Sequence, residues 1–289
     1  MTDEAWPGGA RGALALSFDN LGEAAEIELG AFPEDAPLGE HFTATAVLPR
    51  VLEALAEHDL AATFFVEGLN AELYPEALRK IGACGHEVAF HAWRHEDWAT
   101  LSASEQADNL ERGVGAFAEL GLRLSGMRPP GGGLGAGGTG VLSRAGLDYC
   151  SPAGRGAGTM DGVALLPFEW RHVDASCLLP PMAQVREQIA GTPEPLEPET
   201  FLDHLLGEIE RLGDEGGFMA IVLHLSMFDW LGGERLKALL DRVATAAGDG
   251  VLWVSRSDSI AEHMLDRRDA FRGRTVLDPL SWGGRGAGR

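Results

Sequence analysis

The sequence lacks basic charge and long apolar runs, and both absences exclude classes of protein. It has 23 Lys and Arg residues against 44 Asp and Glu residues, which gives a formal net charge of −21. Nucleic acid and anionic membrane surfaces repel such an acidic chain, so neither is expected as a partner. No stretch reaches the ~18 consecutive apolar residues of a membrane-spanning helix. A small or neutral substrate is expected instead, and a homo-oligomer remains open.

Cysteine is also scarce. Its three residues, Cys84, Cys150 and Cys177, are widely spaced and contain no C-x-x-C pair. This usage fits a reducing compartment better than a disulfide framework. Residues 1–12 lack the basic start and apolar centre of a secretory signal. Both observations predict a cytoplasmic location.

Short apolar runs alternate with segments of helical periodicity along most of the chain. This alternation predicts an α/β fold with a mainly parallel sheet or an irregular barrel. At 289 residues and 45% hydrophobic composition, the chain is long enough to bury a substantial core. We predict one domain over residues 1–266. The remaining residues, 267–289, are rich in Arg and Gly and are predicted to form a mobile tail.

Two histidines follow one of the predicted strands. The apolar run Val88–Phe90 ends directly before His91, and His95 follows four residues later. If this segment winds into one helical turn, both imidazoles point the same way. Two imidazoles on one face suit a divalent metal such as Zn²⁺. The simpler interpretation is a surface turn that carries two histidines.

Other chemically capable side chains also stand at predicted strand ends. Asp19 with Asn20, Arg128 and His224 each follow or end an apolar run. In α/β folds the carboxyl ends of parallel strands meet, and chemistry collects there. Arg128 offers a fixed cation that can orient a carboxylate, and His224 suits a general acid near neutral pH. A turn or helix cap, a surface arginine and a core histidine are the respective alternatives.

Three further segments carry weaker signals. Trp170 and Asp174 offer an aromatic wall and a carboxylate that can orient a histidine, although a surface turn fits equally well. Gly131–Gly138 contains a formal G-x-G-x-x-G but follows a Pro-Pro pair rather than a strand, which favours a flexible loop bordering a cleft. Cys177 near His172 has no local pattern that supports a Cys/His nucleophile.

Five short motifs in order make the sequence resemble the polysaccharide deacetylase superfamily (NodB-like, carbohydrate esterase family 4). The resemblance spans Ala13 to His263, and the end of the chain is similar to the branch of intracellular deacetylases, cyclic imidases and PuuE-type allantoinases. The matching stretches are Ser17-Phe18-Asp19-Asn20 for T-F-D-D, His91-Ala92-Trp93-Arg94-His95 for H-S/T-x-x-H, Arg128-Pro129-Pro130-Gly131 for R-P-P-Y-G, Trp170 to Asp174 for W-x-x-D-D, and Val222-Leu223-His224 for the closing L-H.

The resemblance implies a distorted (β/α)7-type barrel, the NodB homology fold, and metal-dependent hydrolysis of an amide or N-acetyl bond. Zn is the expected metal, with Co, Ni or Mn as alternatives. The resemblance implies that Asp19 is the general base, oriented by Arg128, and that His224 is the general acid, tuned by Asp174. It implies that Asn20, His91 and His95 are metal ligands. The implied substrate cleft is bordered by Trp170, Pro130 and Gly131.

The sequence departs from the family pattern at three positions. Asn20 replaces the second, metal-binding Asp, and an amide oxygen contributes no negative charge. Metal affinity should therefore fall, unless Glu23 or Asp19 itself completes the site. Gly131 stands where the family has Tyr, and Leu225 stands where this branch often has Pro.

Three functions follow from these observations. The leading hypothesis is a hydrolase that uses a metal-bound water on a small intracellular N-acyl carbohydrate or a related amide. The second is a metal-independent, allantoinase- or imidase-like hydrolase, against which the presence of both His91 and His95 argues. The third is a non-catalytic ligand-binding protein. Asn20 keeps it open. The presence of Asp19, Arg128 and His224 together argues for catalysis.

Overall fold

The computed structural model describes residues 6–279 of the chain. Within them, strands β9, β1, β2, β3, β4, β5 and β8 follow one another side by side, and every neighbouring pair in this row is parallel. A parallel bridge between Val173 and Val222 links the chain beyond β8 back to β9. The sheet thus curls into a distorted (β/α)7 barrel, which confirms the predicted fold.

The strands and helices have the following bounds. The strands are β1 Gly12–Asp19, β2 Thr63–Val66, β3 Glu87–Phe90, β4 Gly126–Met127, β5 Tyr149–Cys150, β6 Gly154–Arg155, β7 Gly158–Met160, β8 Val163–Leu165, β9 Gly217–His224, β10 Leu252–Val254 and β11 Val276–Leu277. The helices are α1 Ala24–Glu28, α2 Leu48–Glu57, α3 Leu69–Leu73, α4 Pro75–Ala83, α5 Ala103–Glu119, α6 Gly138–Arg144, α7 Asp174–Leu178, α8 Ala183–Ala190, α9 Pro198–Glu215, α10 Phe228–Gly248, α11 Ser257–Asp266 and α12 Arg268–Phe271.

Alternation along β1 explains how the barrel positions polar groups. Leu14, Leu16 and Phe18 pack into the larger apolar core, which includes buried residues of α2, α5, α9 and α10. The intervening positions belong to the opposite face, where successive side chains of a strand must point. That face carries Ala13 and Ala15 toward the amino end of β1, and Ser17 and Asp19 toward its carboxyl end. The barrel lining therefore becomes polar toward the carboxyl ends of its strands.

The glycine-rich segment Gly131–Gly138, predicted as a flexible loop, is held in place by Gln106 of α5. The Gln106 amide donates to the Leu134 carbonyl at 3.3 Å and accepts from the Gly137 N–H at 2.7 Å. Helix α6 then begins at Gly138 and was not predicted. The hydrogen bonds of the buried Gln106, which is distant in sequence, explain why this segment has a defined conformation.

The folded part extends beyond the predicted boundary at residue 266. Helix α12 buries Phe271 against Trp6, with ring centroids 5.1 Å apart, and β11 pairs antiparallel with β6. The predicted boundary therefore does not mark the end of the fold. Residues 280–289 of the predicted tail lie outside the described residues. None of the helices within residues 6–279 is long and apolar enough to cross a membrane.

Candidate active site

Arg128 and Asp19 form a buried ion pair at the carboxyl ends of β4 and β1. The Arg128 Nη1 donates to Asp19 Oδ1 at 2.5 Å, and both side chains are almost fully buried. The guanidinium lies over the Phe65 ring, 4.0 Å from its centroid. A carboxylate held this way keeps one orientation, because the planar guanidinium is fixed from several sides. The structure therefore brings these two predicted residues together.

Two serines that the sequence analysis missed complete the support of Arg128. Ser17 accepts from Arg128 Nη1 at 2.9 Å and donates to the Ile221 carbonyl at 2.8 Å. Ser151 accepts from both Nε and Nη2, at 3.3 and 3.1 Å. Ser151 directly follows β5, so its place at a strand end was a usable signal. Together they fix the arginine that holds Asp19.

His91 and His95 lie beside each other, although the segment between them does not wind into a helical turn. Both residues lie in a non-helical loop after β3, and Ala92 and His95 adopt positive φ values of 62° and 74°. The Gly68 and Leu69 N–H groups donate to the carbonyls of Ala92 and Trp93, both at 2.9 Å. These long-range bonds replace those of a helical turn. The imidazole centroids are still only 4.9 Å apart.

The protonation of these two histidines suits metal binding. His91 Nδ1 hydrogen-bonds the Arg128 carbonyl at 2.7 Å, which leaves Nε2 as the other ring nitrogen, 3.9 Å from Asp19 Oδ2. Burial lowers the pKa of His91 to about 3, and the Arg128 charge acts in the same direction. Burial and then the neighbouring His91 also lower the pKa of His95. Neutral imidazoles are the form that binds metal ions.

His224 and Asp174 form a second pair on the other side of Asp19. Strands β1 and β9 place Asp19 opposite His224 in register. Asp174, at the start of α7, accepts from the His224 backbone N–H at 2.8 Å and pairs with His224 Nδ1 at 2.6 Å. Burial works against a charged imidazole, but the Asp174 carboxylate outweighs it and raises the pKa of His224. A histidine that holds its proton more strongly suits a general acid.

A group of buried oxygens next to Asp19 contains one residue that the sequence analysis missed. Glu67 follows β2, is 0% exposed, and leaves its Oε1 without a hydrogen-bond partner. Its Oε2 accepts from Asn70 at 3.0 Å. Asn20 Oδ1 is also buried and unpartnered. Burial, together with the Asp19 charge, raises the pKa of Glu67 well above its usual range. The strand-end rule that selected Asp19 applies equally to Glu67.

Glu23, which the sequence left open as a replacement ligand, is occupied elsewhere. Its Oε1 accepts from the Gly39 N–H at 2.7 Å, and its Oε2 accepts from the Tyr74 hydroxyl at 2.5 Å. Both oxygens of Glu23 are therefore engaged. Glu67 differs from Glu23, because its Oε1 has no hydrogen-bond partner and its carboxyl group lies close enough to Asp19 for their charges to interact.

Two of the residues predicted to border a substrate cleft, Pro130 and Gly131, follow Arg128 in the chain. Pro130 is buried and Gly131 is half-buried in the turn that follows it. Trp170 is 6% exposed and packs edge-on against Phe168, with centroids 5.1 Å apart. Trp170 also lines a cavity of about 330 Å³ that includes Arg155 and Leu277. Contact of these residues with a substrate stays a prediction.

Comparisons with known proteins show which family this sequence and fold resemble. The sequence profile of the family described as Polysaccharide deacetylase matches residues 12–150. A crystal structure of a putative polysaccharide deacetylase from Mycobacterium smegmatis is 27% identical, with a TM-score of 0.76 over 95% of this chain and 96% of that chain. Residues 12–150 carry the sequence profile of the NodB-like polysaccharide deacetylase superfamily, and the described chain shares its fold. Its named members include deacetylases, which are hydrolases that act on carbon–nitrogen bonds.

Two further relatives show how far this likeness extends. A chitooligosaccharide deacetylase from Sinorhizobium fredii is 48% identical over 66 residues, which are 23% of this chain and 29% of that protein. The match thus spans less than a third of that relative's length. The crystal structure of Puue allantoinase has a TM-score of 0.69 at 20% identity, over 90% of this chain and 92% of that chain, and shows the shared fold.

The residues present fit a divalent metal, which deacetylases of this superfamily generally use. The fit rests on two neutral imidazoles, His91 and His95, and on two buried oxygens without partners, Asn20 Oδ1 and Glu67 Oε1. Buried polar atoms without partners are costly, and an ion that binds them removes the cost. Imidazole with oxygen ligands suits zinc and its first-row neighbours.

Proposed function

We propose that this chain is a metal-dependent hydrolase that removes an acyl group, such as acetyl, from an amide nitrogen. The observation that supports it most directly is the register of β1 and β9, which pairs Asp19 with His224. Arg128 holds the carboxylate and Asp174 holds the imidazole. A base and an acid, each held by its own partner, lie on neighbouring strands at one end of the barrel.

The reaction requires a general base that accepts one proton and a general acid that donates one. Asp19 accepts a proton from the attacking water, whose oxygen forms the new bond to the carbonyl carbon. His224 donates its Nε2 proton to the leaving nitrogen as the carbon–nitrogen bond breaks. The products are a carboxylic acid and an amine. Asp174 holds the proton on Nδ1 and stabilises the charged imidazole that precedes this donation.

Asn20, His91 and His95 are the proposed metal-holding residues, and Glu67 supplies the negative charge that Asn20 lacks. A bound divalent cation supplies Lewis acidity toward the water and the carbonyl oxygen. Glu67 lies close enough to Asp19 for their charges to repel, and a bound cation would relieve that repulsion. Zn is the proposed metal, with Co, Ni and Mn as alternatives.

A small N-acyl carbohydrate or a related amide is the proposed substrate class, and the proposed location is the cytoplasm. Relatives named as chitooligosaccharide and peptidoglycan-N-acetylglucosamine deacetylases support an N-acetyl sugar. The three cysteines are free thiols, which accords with a reducing compartment. The negative charge of the chain supports a neutral or small substrate over a nucleic acid or a membrane surface. A homo-oligomer remains open.

The experiment measures acetate and amine release from N-acetylglucosamine oligomers, and ring opening of cyclic imides, by the zinc-loaded protein. We expect Asp19→Asn and His224→Gln each to lower kcat by about 10²-fold or more. His91→Ala/His95→Ala should lose activity together with one equivalent of metal by elemental analysis. Asp148→Asn, in an exposed ion pair with Arg123, serves as the control.

Other outcomes separate the alternatives. Activity that survives the loss of metal in the His91→Ala/His95→Ala variant would indicate a metal-independent, imidase-like hydrolase. Ligand binding without turnover of any amide or imide, in protein that holds its metal, would indicate a non-catalytic binding protein. Either result contradicts the proposal.

A further inference from the structure

A second group of metal-binding side chains lies apart from the candidate active site. His172 ends a 3₁₀ turn, Trp170–His172, and His204 and Glu208 lie one turn apart on α9. One ligand atom from each of the three lies within 4.8 Å of the other two. The two imidazoles are stacked, with centroids 5.7 Å apart. His204 and Glu208 lie outside the five family motifs. His172 lies inside the Trp170 to Asp174 motif but has no predicted role in it.

The Nε2 nitrogens of this cluster are buried and have no hydrogen-bond partner. His172 is 2% exposed, and the Nε2 atoms of both His172 and His204 are buried without a hydrogen-bond partner. His172 Nε2 lies 3.4 Å from Glu208 Oε2 but forms no hydrogen bond with it. Buried polar atoms are normally satisfied, so two such nitrogens facing one carboxylate indicate a missing partner. A cation satisfies all three groups at once.

The geometry is close to that of a bound zinc ion. Ligands about 2.1 Å from a tetrahedral zinc lie roughly 3.4 Å apart, so side-chain shifts of about 1 Å close the site. Arg211 donates to Glu208 Oε2 from Nε at 3.1 Å and also from Nη2 at 2.5 Å. Such outer hydrogen bonds commonly orient the carboxylate that binds a metal.

We propose that His172, His204 and Glu208 form a second metal site, which binds a divalent cation of the zinc type. The cation joins the Trp170–His172 turn to α9. Asp174, which holds His224, lies two residues beyond His172. The site therefore acts as a clamp that fixes the segment carrying Asp174, and it is independent of any metal bound by His91 and His95.

The test compares zinc stoichiometry in matched variants of the full chain, by elemental analysis after dialysis and by competition with a chromophoric chelator. His204→Gln and Glu208→Gln change half-buried side chains and keep hydrogen-bonding capacity, so folding should persist, as checked by circular dichroism. His58→Ala is the matched control, because His58 pairs with one carboxylate, Asp241, at 3.0 Å.

We expect each of His204→Gln and Glu208→Gln to bind one zinc fewer than the wild type, whatever the occupancy at His91 and His95. The His91→Ala/His95→Ala protein should keep one tightly bound zinc and lose it when His204→Gln is added. Zinc should raise the Tm of that double variant by a few degrees, and not that of the triple variant. The proposal is overturned if both glutamine variants keep the wild-type stoichiometry, or if His58→Ala lowers it equally.

Discussion

At the scale of single residues, the candidate site consists of pairs in which one member holds the other. Arg128 holds Asp19, and Asp174 holds His224. All four were predictable from the sequence, because each follows a strand or carries a family motif. Ser151 and Glu67 also directly follow strands, so the same rule could have selected them. Ser17 lies inside β1, and only its contact with Arg128 reveals its role.

The pH dependence of activity should reveal the His224–Asp174 pair. Asp174 raises the pKa of His224, so the acid stays protonated, and active, to higher pH. In Asp174→Asn the pKa of His224 falls. The descending alkaline limb of kcat/KM should then move to lower pH, with a loss on the order of 10²-fold at neutral pH. Steady-state pH profiles measure this shift.

Two control variants test whether the shift of the alkaline limb arises from the His224 proton. His224→Gln should abolish the alkaline limb, because no imidazole remains to titrate. Asp148→Asn, an exposed carboxylate paired with Arg123, should leave the profile unchanged. An Asp174→Asn profile that only scales down without moving would show that Asp174 does not act through the His224 proton.

Metal affinity should distinguish Glu67 from Glu23. Glu67→Gln removes the negative charge beside Asn20 and should weaken binding at the His91 site by about 10- to 100-fold. Glu23→Gln should leave the affinity unchanged, because Gly39 and Tyr74 occupy both oxygens of Glu23. Calorimetric zinc titration measures these affinities. The chains also carry His204→Gln, so that zinc binding at the His91 site is measured without binding at the proposed second site. Equal affinities in the two variants would remove Glu67 from the proposal.

At the scale of elements, the strands were predictable and the loops at their ends were not. The helix that begins after Ser102 has the capping box that its S-x-x-E sequence indicates, with Glu105 N–H donating to Ser102 Oγ at 3.3 Å. That signal is local, so the sequence contains it. The loop from His91 to His95 depends on N–H groups of residues 68 and 69, which are distant in sequence. The i, i+4 spacing of the two histidines carries no information about these long-range hydrogen bonds.

Two glycines of α5 test how this helix supports the histidine loop. A Cβ at Gly113 would lie 2.3 Å from the buried Phe90 ring, whereas a Cβ at exposed Gly115 meets nothing within 4 Å. Gly113→Ala should destabilise the fold by about 1–2 kcal/mol, since overpacking exceeds the gain in helix propensity. Gly115→Ala should stabilise it by up to about 1 kcal/mol. Urea unfolding measures both changes.

Gly113→Ala should also weaken metal binding, because Phe90 directly precedes His91. Zinc titration of the two alanine variants provides this second measurement, with Gly115→Ala expected to match the wild type. If both variants change stability in the same direction, the packing of Phe90 against α5 is not as described.

At the scale of the whole molecule, a buried carboxyl group at the lower end of the barrel couples folding to pH. Glu87 accepts from the Tyr149 hydroxyl and from Thr63 Oγ1, both at 2.8 Å. Burial raises its pKa from 4.5 to about 7, and the Asp258 charge adds to this. The folded chain therefore holds a proton that the unfolded chain releases between these values. The resulting stability is full below the lower pKa and is lost as pH rises through the higher one.

Glu87→Gln should remove this dependence. The wild-type free energy of unfolding, minus that of the variant, should fall by about 2.5 kcal/mol from about pH 5 to about pH 8. Urea titrations across that range measure it. Glu111→Gln, on the exposed side of α5, should show a constant difference. A constant difference for Glu87→Gln as well would mean that Glu87 is ionised in the folded chain throughout.

The sequence by itself determined the α/β class with a mainly parallel sheet, because buried runs and their spacing are local properties. The family motifs indicated the (β/α)7 barrel. The sequence also determined that Asp19, Arg128 and His224 stand at strand ends. Only the tertiary structure decided that residues 268–277 belong to the fold, that Glu67 lies near Asp19, and that His172 meets His204 and Glu208. Each of these depends on contacts between residues distant in sequence, which chain folding creates and no local pattern encodes.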